Sequence, residues 1–138
     1  MEHEVKYNID PKGRISIPSK FREELGLRFY VTKEIDHCIQ LRSEEEWQKL
    51  IDRINSMGHA NKKKYSRFFV AHRQVVEPDK QGRFCISPVL REWAGITDSA
   101  VVIAGSDSVE IWNPDRWNEY DQCIDNDDMV EQMENDGF

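Results

Sequence analysis

Residues 10–27 read DPKGRISIPSKFREELGL, and residues 79–96 read DKQGRFCISPVLREWAGI. Laid over each other at an offset of 69, Asp10 falls on Asp79, Gly13 on Gly82, Arg14 on Arg83, Ile17 on Ile86, Arg22 on Arg91, Glu23 on Glu92 and Gly26 on Gly95. After one inserted residue the match continues, with Leu41 on Ile111 and Trp47 on Trp117. A self-match of this length sets the plan of the chain before any single element is assigned. It divides the sequence into a first unit at 4–48, a helical connector at 49–72, a second unit at 73–118 and a tail at 121–138.

Each unit parses in the same way. Val5 to Ile9 alternates and predicts a strand. Asp10-Pro11-Lys12-Gly13 places Asp at the first, Pro at the second and Gly at the fourth position of a type I turn. Arg14 to Ile17 alternates again, with Ile15 and Ile17 on one face. Pro18 suits the first position of a short helix, and Gly26 suits its C-terminal stop. Strands are predicted at about 28–33 and 38–42, around a turn at Glu34 to His37. Ser43 followed by Glu46 is a capping box opening a second helix, with Trp47, Leu50, Ile51, Ile54 and Met57 as its apolar stripe.

The second unit repeats the order: strand 74–77, turn 79–82, strand 83–86, helix Pro88 to Ala94, and strands 100–104 and 109–112. Asn113 and Pro114 then open a helix through Trp117 and Tyr120. The connector predicts a helix from Lys62 to Ala71 capped by Asn61, with Tyr65, Phe68 and Phe69 turned to the core. The second unit reads Ile86-Ser87-Pro88 where the first reads Ile17-Pro18, so its helix is expected to start one residue later, with Ser87 as cap. The sum is an α+β fold, mainly β with short helices.

The 138 residues carry 19 Lys+Arg and 26 Asp+Glu, a net charge of −7. Seven of the acids (Asp121, Asp125, Asp127, Asp128, Glu131, Glu134, Asp136) lie in the tail, which holds no Lys or Arg, so residues 1–120 balance at 19 of each sign. The net charge excludes a protein that holds nucleic acid or an anionic membrane by bulk attraction. It does not exclude one that uses a few placed arginines. The tail itself reads as a solvated, disordered segment.

The start, Met-Glu-His-Glu, has no signal-peptide pattern, and the longest apolar run, Ala100 to Ala104, is far below a membrane span. Cys38, Cys85 and Cys123 are too few and too widely spaced for a disulfide framework or a zinc set. They read as reduced thiols in a cytoplasmic protein, two of them packed on strands as small hydrophobes. His3, His37, His59 and His72 show no ligand spacing, so no metal and no cofactor are expected.

The repeated turn is the candidate for function. A tight turn needs Asp and Gly but not the Arg after the Gly, yet both units place one there, as Arg14 and Arg83. An Arg at a hairpin base can reach phosphates or grip a guanine edge with its planar fork. The Asp can aim it. The pattern Asp-x-x-Gly-Arg-Ile-x-Ile-Pro-x-x-x-Arg-x-x-Leu-Gly resembles the SpoVT/AbrB-type DNA-binding domain. Two copies in this order resemble the MraZ family of bacterial transcriptional regulators, over nearly the whole chain to about Tyr120.

The resemblance implies swapped-hairpin barrel units packed as an internal repeat, and a homo-oligomer, a ring, whose hairpins face double-stranded DNA. It implies direct repeats upstream of the protein's own operon, in the division and cell-wall gene cluster, as the target. The protein would then be cytoplasmic and associated with the nucleoid, without a small-molecule substrate. By motif position, Arg14 and Arg83 are the expected DNA contacts and Lys12 and Lys80 phosphate contacts. Asp10, Gly13, Asp79 and Gly82 shape the loops.

Two other classes stay open: an antitoxin or protein-interaction module sharing the AbrB-like fold, with the acidic tail on its partner, and an enzyme using Asp10 or Asp79. The second lacks a nucleophile beside either carboxylate. Lys62, Lys63, Lys64 and Arg67 form the densest basic run, read as a solvated helix face, and Trp47, Trp93, Trp112 and Trp117 read as core or subunit packing.

Overall fold

A computed structural model describes residues 4–105, 108–124 and 126–138. His3 and Asp125, named above, lie outside the described residues. The first unit supplies β1 (Glu4–Asn8), β2 (Arg14–Ser16), α1 (Ser19–Leu25), β3 (Phe29–Glu34), β4 (Cys38–Ser43) and α2 (Glu44–Asn55). The connector supplies α3 (His59–Tyr65), which runs on as a π-wound turn over Ser66–Val70. The second unit supplies β5 (Gln74–Val76), β6 (Arg83–Cys85), α4 (Pro88–Ala94), β7 (Ser99–Ala104), β8 (Val109–Trp112) and α5 (Pro114–Cys123), and α6 (Asn126–Asn135) follows.

The strands form an antiparallel sheet in the order β1-β7-β8-β4-β3-β5 and a separate ribbon, β2-β6. Read in terms of the repeat, each unit gives its first strand away. β1 pairs with β7 of the second unit, and β5 pairs with β3 of the first. The ribbon mixes the units too, pairing Arg14 with Cys85, Ile15 with Phe84 and Ser16 with Arg83. The offset of the repeat maps this register onto itself, so a local two-fold passes through the Ile15–Phe84 pair and the central β4–β8 pair. These are swapped hairpins, and they leave no interior belonging to one unit. Ile15, Ile17, Phe21, Leu25 and Phe29 share one cluster with Phe84, Ile86, Leu90, Ala94 and Ile96. Phe29 meets Phe84 edge to face, with ring centroids 5.4 Å apart.

The caps are those the sequence predicts for the longer helices. Ser43 accepts from the Glu46 N–H at the start of α2, and Asn113 Oδ1 accepts from the N–H groups of Asp115 and Arg116 at the start of α5. Trp47 is buried under a stacked Tyr30 ring. The turn before β4 needs left-handed backbone at Asp36 (φ 66°) and His37 (φ 55°), and Glu34 accepts from the Ile35 N–H there.

Several expectations are corrected. α1 and α4 begin at matched positions, Ser19 and Pro88, with Pro18 and Ser87 as N-caps, so the extra Ser shifts nothing. Neither cap makes a side-chain hydrogen bond, and both hold the same extended backbone, Pro18 at φ −60° and ψ 152° and Ser87 at φ −60° and ψ 148°. α3 starts earlier than expected, at His59 after Gly58, and Tyr65 is 44% exposed and not turned to the core. Phe68 packs edge-on to Trp93, and Phe69 lies under the Arg42 guanidinium, whose centre is 5.2 Å from the ring.

Cys85 is not a packed hydrophobe. It lies on the outer face of the ribbon, where its Sγ donates to the Lys12 carbonyl. Cys38 is fully buried, and burial pushes its thiol far up. The tail, expected to be disordered, is helical over Asn126–Asn135. The absence of Gly and Pro, the helix formers Met129, Glu131, Gln132, Met133 and Glu134, and two acids in the first turn favour that.

One departure from the two-fold concerns the exits from α1 and α4. Gly95 is left-handed (φ 65°, ψ 30°), so Ile96 N–H reaches back to the Arg91 carbonyl and the Ile96 side chain is 4% exposed. Gly26 has φ 81° and ψ −172°, which sends the chain outward and leaves Leu27, at the matched position, 92% exposed. Ile96→Ala is therefore expected to cost about 2–5 kcal/mol, and Leu27→Ala less than about 0.5 kcal/mol. The urea midpoints of the two variants check this contrast.

Candidate functional site

The ribbon puts Ile15 and Phe84 inward and Arg14, Ser16, Arg83 and Cys85 outward, as the two-residue period of a strand requires. A tight turn precedes each strand. In the first, the Gly13 N–H closes onto the Asp10 carbonyl at 2.9 Å, and in the second the Gly82 N–H closes onto Asp79 at 2.9 Å. The strands are antiparallel, so the turns sit at opposite ends of the ribbon. Arg14 and Arg83 are diagonal on its outer face, roughly 7–8 Å apart at that spacing.

Each Asp does the same work. Asp10 Oδ1 accepts from the N–H groups of Lys12 and Arg14, both at 2.9 Å, and Oδ2 accepts from Arg14 Nε at 2.5 Å. Asp79 Oδ1 accepts from the N–H groups of Gln81 and Arg83, and Oδ2 from Arg83 Nε, all at 2.9 Å. The backbone N–H of the Arg, then its side chain, hold both carboxyls below the ordinary carboxylate range. Both arginine side chains are half exposed, so these ion pairs add little stability. Their effect is to aim. With Nε held by the carboxylate, the two terminal nitrogens of each guanidinium face solvent with no hydrogen bond to the described residues.

The turns are also locked across the repeat. Ile17 N–H donates to the Gly82 carbonyl at 2.9 Å, and Ile86 N–H donates to the Gly13 carbonyl at 3.0 Å. Ser16 Oγ donates to Gln81 O and Cys85 Sγ to Lys12 O, so each strand also touches the turn of the other unit. Above each glycine lies an arginine of the opposite unit. A Cβ on Gly13 would stand 2.6 Å from the Arg91 guanidinium carbon, and one on Gly82 would stand 2.6 Å from the Ile17 carbonyl and 2.9 Å from Arg22 Nε. Arg22 Nη1 donates to the Lys80 carbonyl, and Arg91 Nε donates to Ile86 O.

The structure thus brings Asp10, Gly13, Arg14, Asp79, Gly82 and Arg83 together on one ribbon, with the exposed Lys12 and Lys80 in its turns. Arg22 and Arg91, matched in the sequence but given no role there, brace these turns. Their signal was the repeat itself. Gln74 also braces the ribbon, accepting from the Ser87 N–H and donating to Cys85 O, and its counterpart in the first unit is Val5, so the repeat gave no sign of it. Among the described residues, no three His, Cys, Asp or Glu side chains gather as a metal set, and no helix is long and apolar enough to cross a membrane.

The profile of the family described as "MraZ protein, putative antitoxin-like" matches residues 1–67 and again 69–136, so one match falls on each unit. The chain belongs to the MraZ family. Among curated relatives named "Transcriptional regulator MraZ", that of Acetivibrio thermocellus is 40% identical over 134 residues, covering 94% of each chain. That of Alkaliphilus metalliredigens is 38% identical over 135 residues, covering 95% of this chain and 94% of its own. That of Caldanaerobacter subterraneus subsp. tengcongensis is 40% identical over 124 residues, covering 88% and 87%. The MraZ match thus spans both units and runs into the acidic helix.

Two measurements check this geometry. Gly82→Ala is expected to lose more than about 2 kcal/mol, because its φ of +76° strains any Cβ and the Ile17 carbonyl blocks it. Gly26→Ala, with φ +81° and nothing within 4 Å, is expected to carry the conformational part alone. Urea unfolding orders the two. In a carbon-detected NMR titration, Asp10 and Asp79 are expected to titrate below the ordinary aspartate range, held down by the backbone N–H and side chain of the following Arg. Their stabilisation is then present above the unfolded value and lost as pH falls through the lower folded one. Arg14→Ala is expected to raise the Asp10 midpoint only part of the way, since the backbone N–H remains, and to leave Asp79 unmoved.

Proposed function

We propose that this chain is a sequence-specific, DNA-binding transcriptional regulator that acts without catalysis. The observation that carries the reading is the outer face of the β2-β6 ribbon. Two arginines stand there, each with Nε tied to its own turn and its terminal nitrogens turned to solvent. That is the arrangement a guanidinium needs for paired hydrogen bonds to a guanine edge or a phosphate, with the cost of orienting it already met. Lys12 and Lys80 stand beside them as phosphate contacts. Asp10 and Asp79 are spent on the turns, which argues against either as an acid or base in a reaction. The name shared by the relatives supports the regulatory role.

One ribbon gives few contacts. The protein acts as a homo-oligomer, in a ring, on direct repeats upstream of its own operon in the division and cell-wall gene cluster. Several ribbons at fixed spacing then engage successive repeats, and linkage raises avidity by ~10²–10⁴ without a new kind of contact. The working place of such a protein is the nucleoid. The antitoxin-like description of the family favours a second reading, a protein-interaction module, and copurification of a small partner protein in place of DNA would select it.

The test is a gel shift with the DNA just upstream of the protein's own gene. Arg14→Ala is expected to abolish or strongly weaken binding while the melting temperature stays within a few degrees of the parent. Unchanged affinity at moderate salt would sink the assignment. Log affinity is expected to fall with log salt at a slope of about 0.9 per phosphate contacted. A flat response would point away from DNA.

A further inference from the structure

Helix α6 carries Met129, Val130 and Met133, at i, i+1 and i+4, on one side and Asp127, Asp128, Glu131 and Glu134 around the rest, with no basic residue. Such a helix ordinarily buries its apolar stripe. Here every side chain of α6 is exposed, Met129 at 39%, Val130 at 48% and Met133 at 44%. Elsewhere on the same chain lies a groove of about 270 Å³, lined by Leu50, Ile54 and Met57 on one wall and by Tyr65 and Phe69 on the other, with Arg42 and Arg53. The Arg42 guanidinium lies over the Phe69 ring there, 5.2 Å from its centroid. Lys62, Lys63, Lys64 and Arg67, all exposed, flank it, and residues 59–70 hold no acid.

We propose that α6 of one protomer docks, apolar stripe inward, in the groove between α2 and α3 of a second copy of this chain. The inference rests on the reading of the protein as a homo-oligomer and names the contact that links its protomers. Charge selects the occupant. Four acids without a base meet a basic run without an acid, and opposite charges around an apolar seam fix both partner and register. Two methionines suit a groove with an irregular aromatic wall, because the unbranched thioether adapts to its shape.

The cleft beside α5, the helix that leads into α6, is a poorer match on the same chain. It is lined by Asp36, His37, Trp112, Arg116, Glu119, Tyr120 and Cys123, and its two carboxylates would face an acidic helix. A helix of one copy seated on a different surface of the next is a head-to-tail contact, which closes into a ring when the rotation permits.

The test uses the full chain with Cys85 and Cys123 changed to Ser, since both are exposed. Met133→Cys and Met57→Cys are made as separate variants, mixed in equal amounts and oxidised. A disulfide-linked dimer is expected in the mixture and absent from either variant alone. No cross-link in the mixture, or a link formed only within one chain carrying both changes, would overturn the proposal.

Sedimentation equilibrium supplies the second readout. Met133→Asp is expected to weaken self-association at least tenfold. Lys62→Glu with Lys63→Glu and Lys64→Glu should do the same, and mixing that protein with Glu131→Lys/Glu134→Lys should restore assembly. A parent oligomer whose mass none of these changes alters would overturn this contact and leave the oligomer standing, whereas a monomeric parent would overturn both. Loss of DNA affinity in the lysine variant at unchanged mass would assign the basic run to DNA and overturn the docking.

Discussion

The structure depends on a reciprocal exchange of backbone between two copies of one motif. Ile17 N–H binds the Gly82 carbonyl, and Ile86 N–H binds the Gly13 carbonyl, so each unit completes the other's turn. Glycine is required at both turns because the chain passes through positive φ there and because an arginine of the opposite unit lies where a side chain would be. From this contact follow the β2-β6 ribbon, its buried Ile15–Phe84 pair and the outward face beside it. The large sheet obeys the same exchange, since β1 and β5 are each paired to the other unit. Neither unit has an interior of its own, so the two fold as one cooperative body.

The exchange also determines what the surface can do. A single hairpin would hold one arginine on a turn free to move. Two hairpins laid antiparallel hold two arginines on one face, in a geometry set by strand register and not by side-chain packing alone. The ion pairs to Asp10 and Asp79 contribute little to stability because they are open to water. They cost the arginines rotamer freedom in advance of binding, which is where preorganisation adds affinity. The net charge of −7 fits a surface of this kind, because the acids in excess lie in the tail and leave the first 120 residues balanced.

Much of this was legible in the sequence. The turn chemistry of Asp10 to Gly13, the capping box at Ser43 and the Asn113-Pro114 start are local rules, and the structure follows them. The repeat told which residues correspond, but periodicity carries no information on which unit a strand joins. The exchange entered through family resemblance alone. The bracing by Arg22 and Arg91 was visible as a matched pair, yet its meaning depends on that exchange, since Arg22 bonds the other unit's turn at the Lys80 carbonyl and Arg91 lies over the other unit's Gly13 while bonding Ile86 O of its own. Cys85 matches Ser16 and lies between the inward Phe84 and Ile86, so period two already places it outside; reading it as a packed hydrophobe follows residue type and not register. Gln74 falls on Val5 in the first unit, an unlike residue, so no internal comparison could mark it. The opposite fates of Leu27 and Ile96 come from the ψ of the preceding glycine, which no composition rule supplies.

The central claim is that the ribbon face, and not the basic helix, meets DNA. Hydrogen–deuterium exchange of the full chain, with and without the duplex from upstream of its own gene, tests it in one measurement. The account predicts that protection rises together over residues 10–16 and 79–85. Protection confined to residues 59–67, or to one of the two turns, would contradict it.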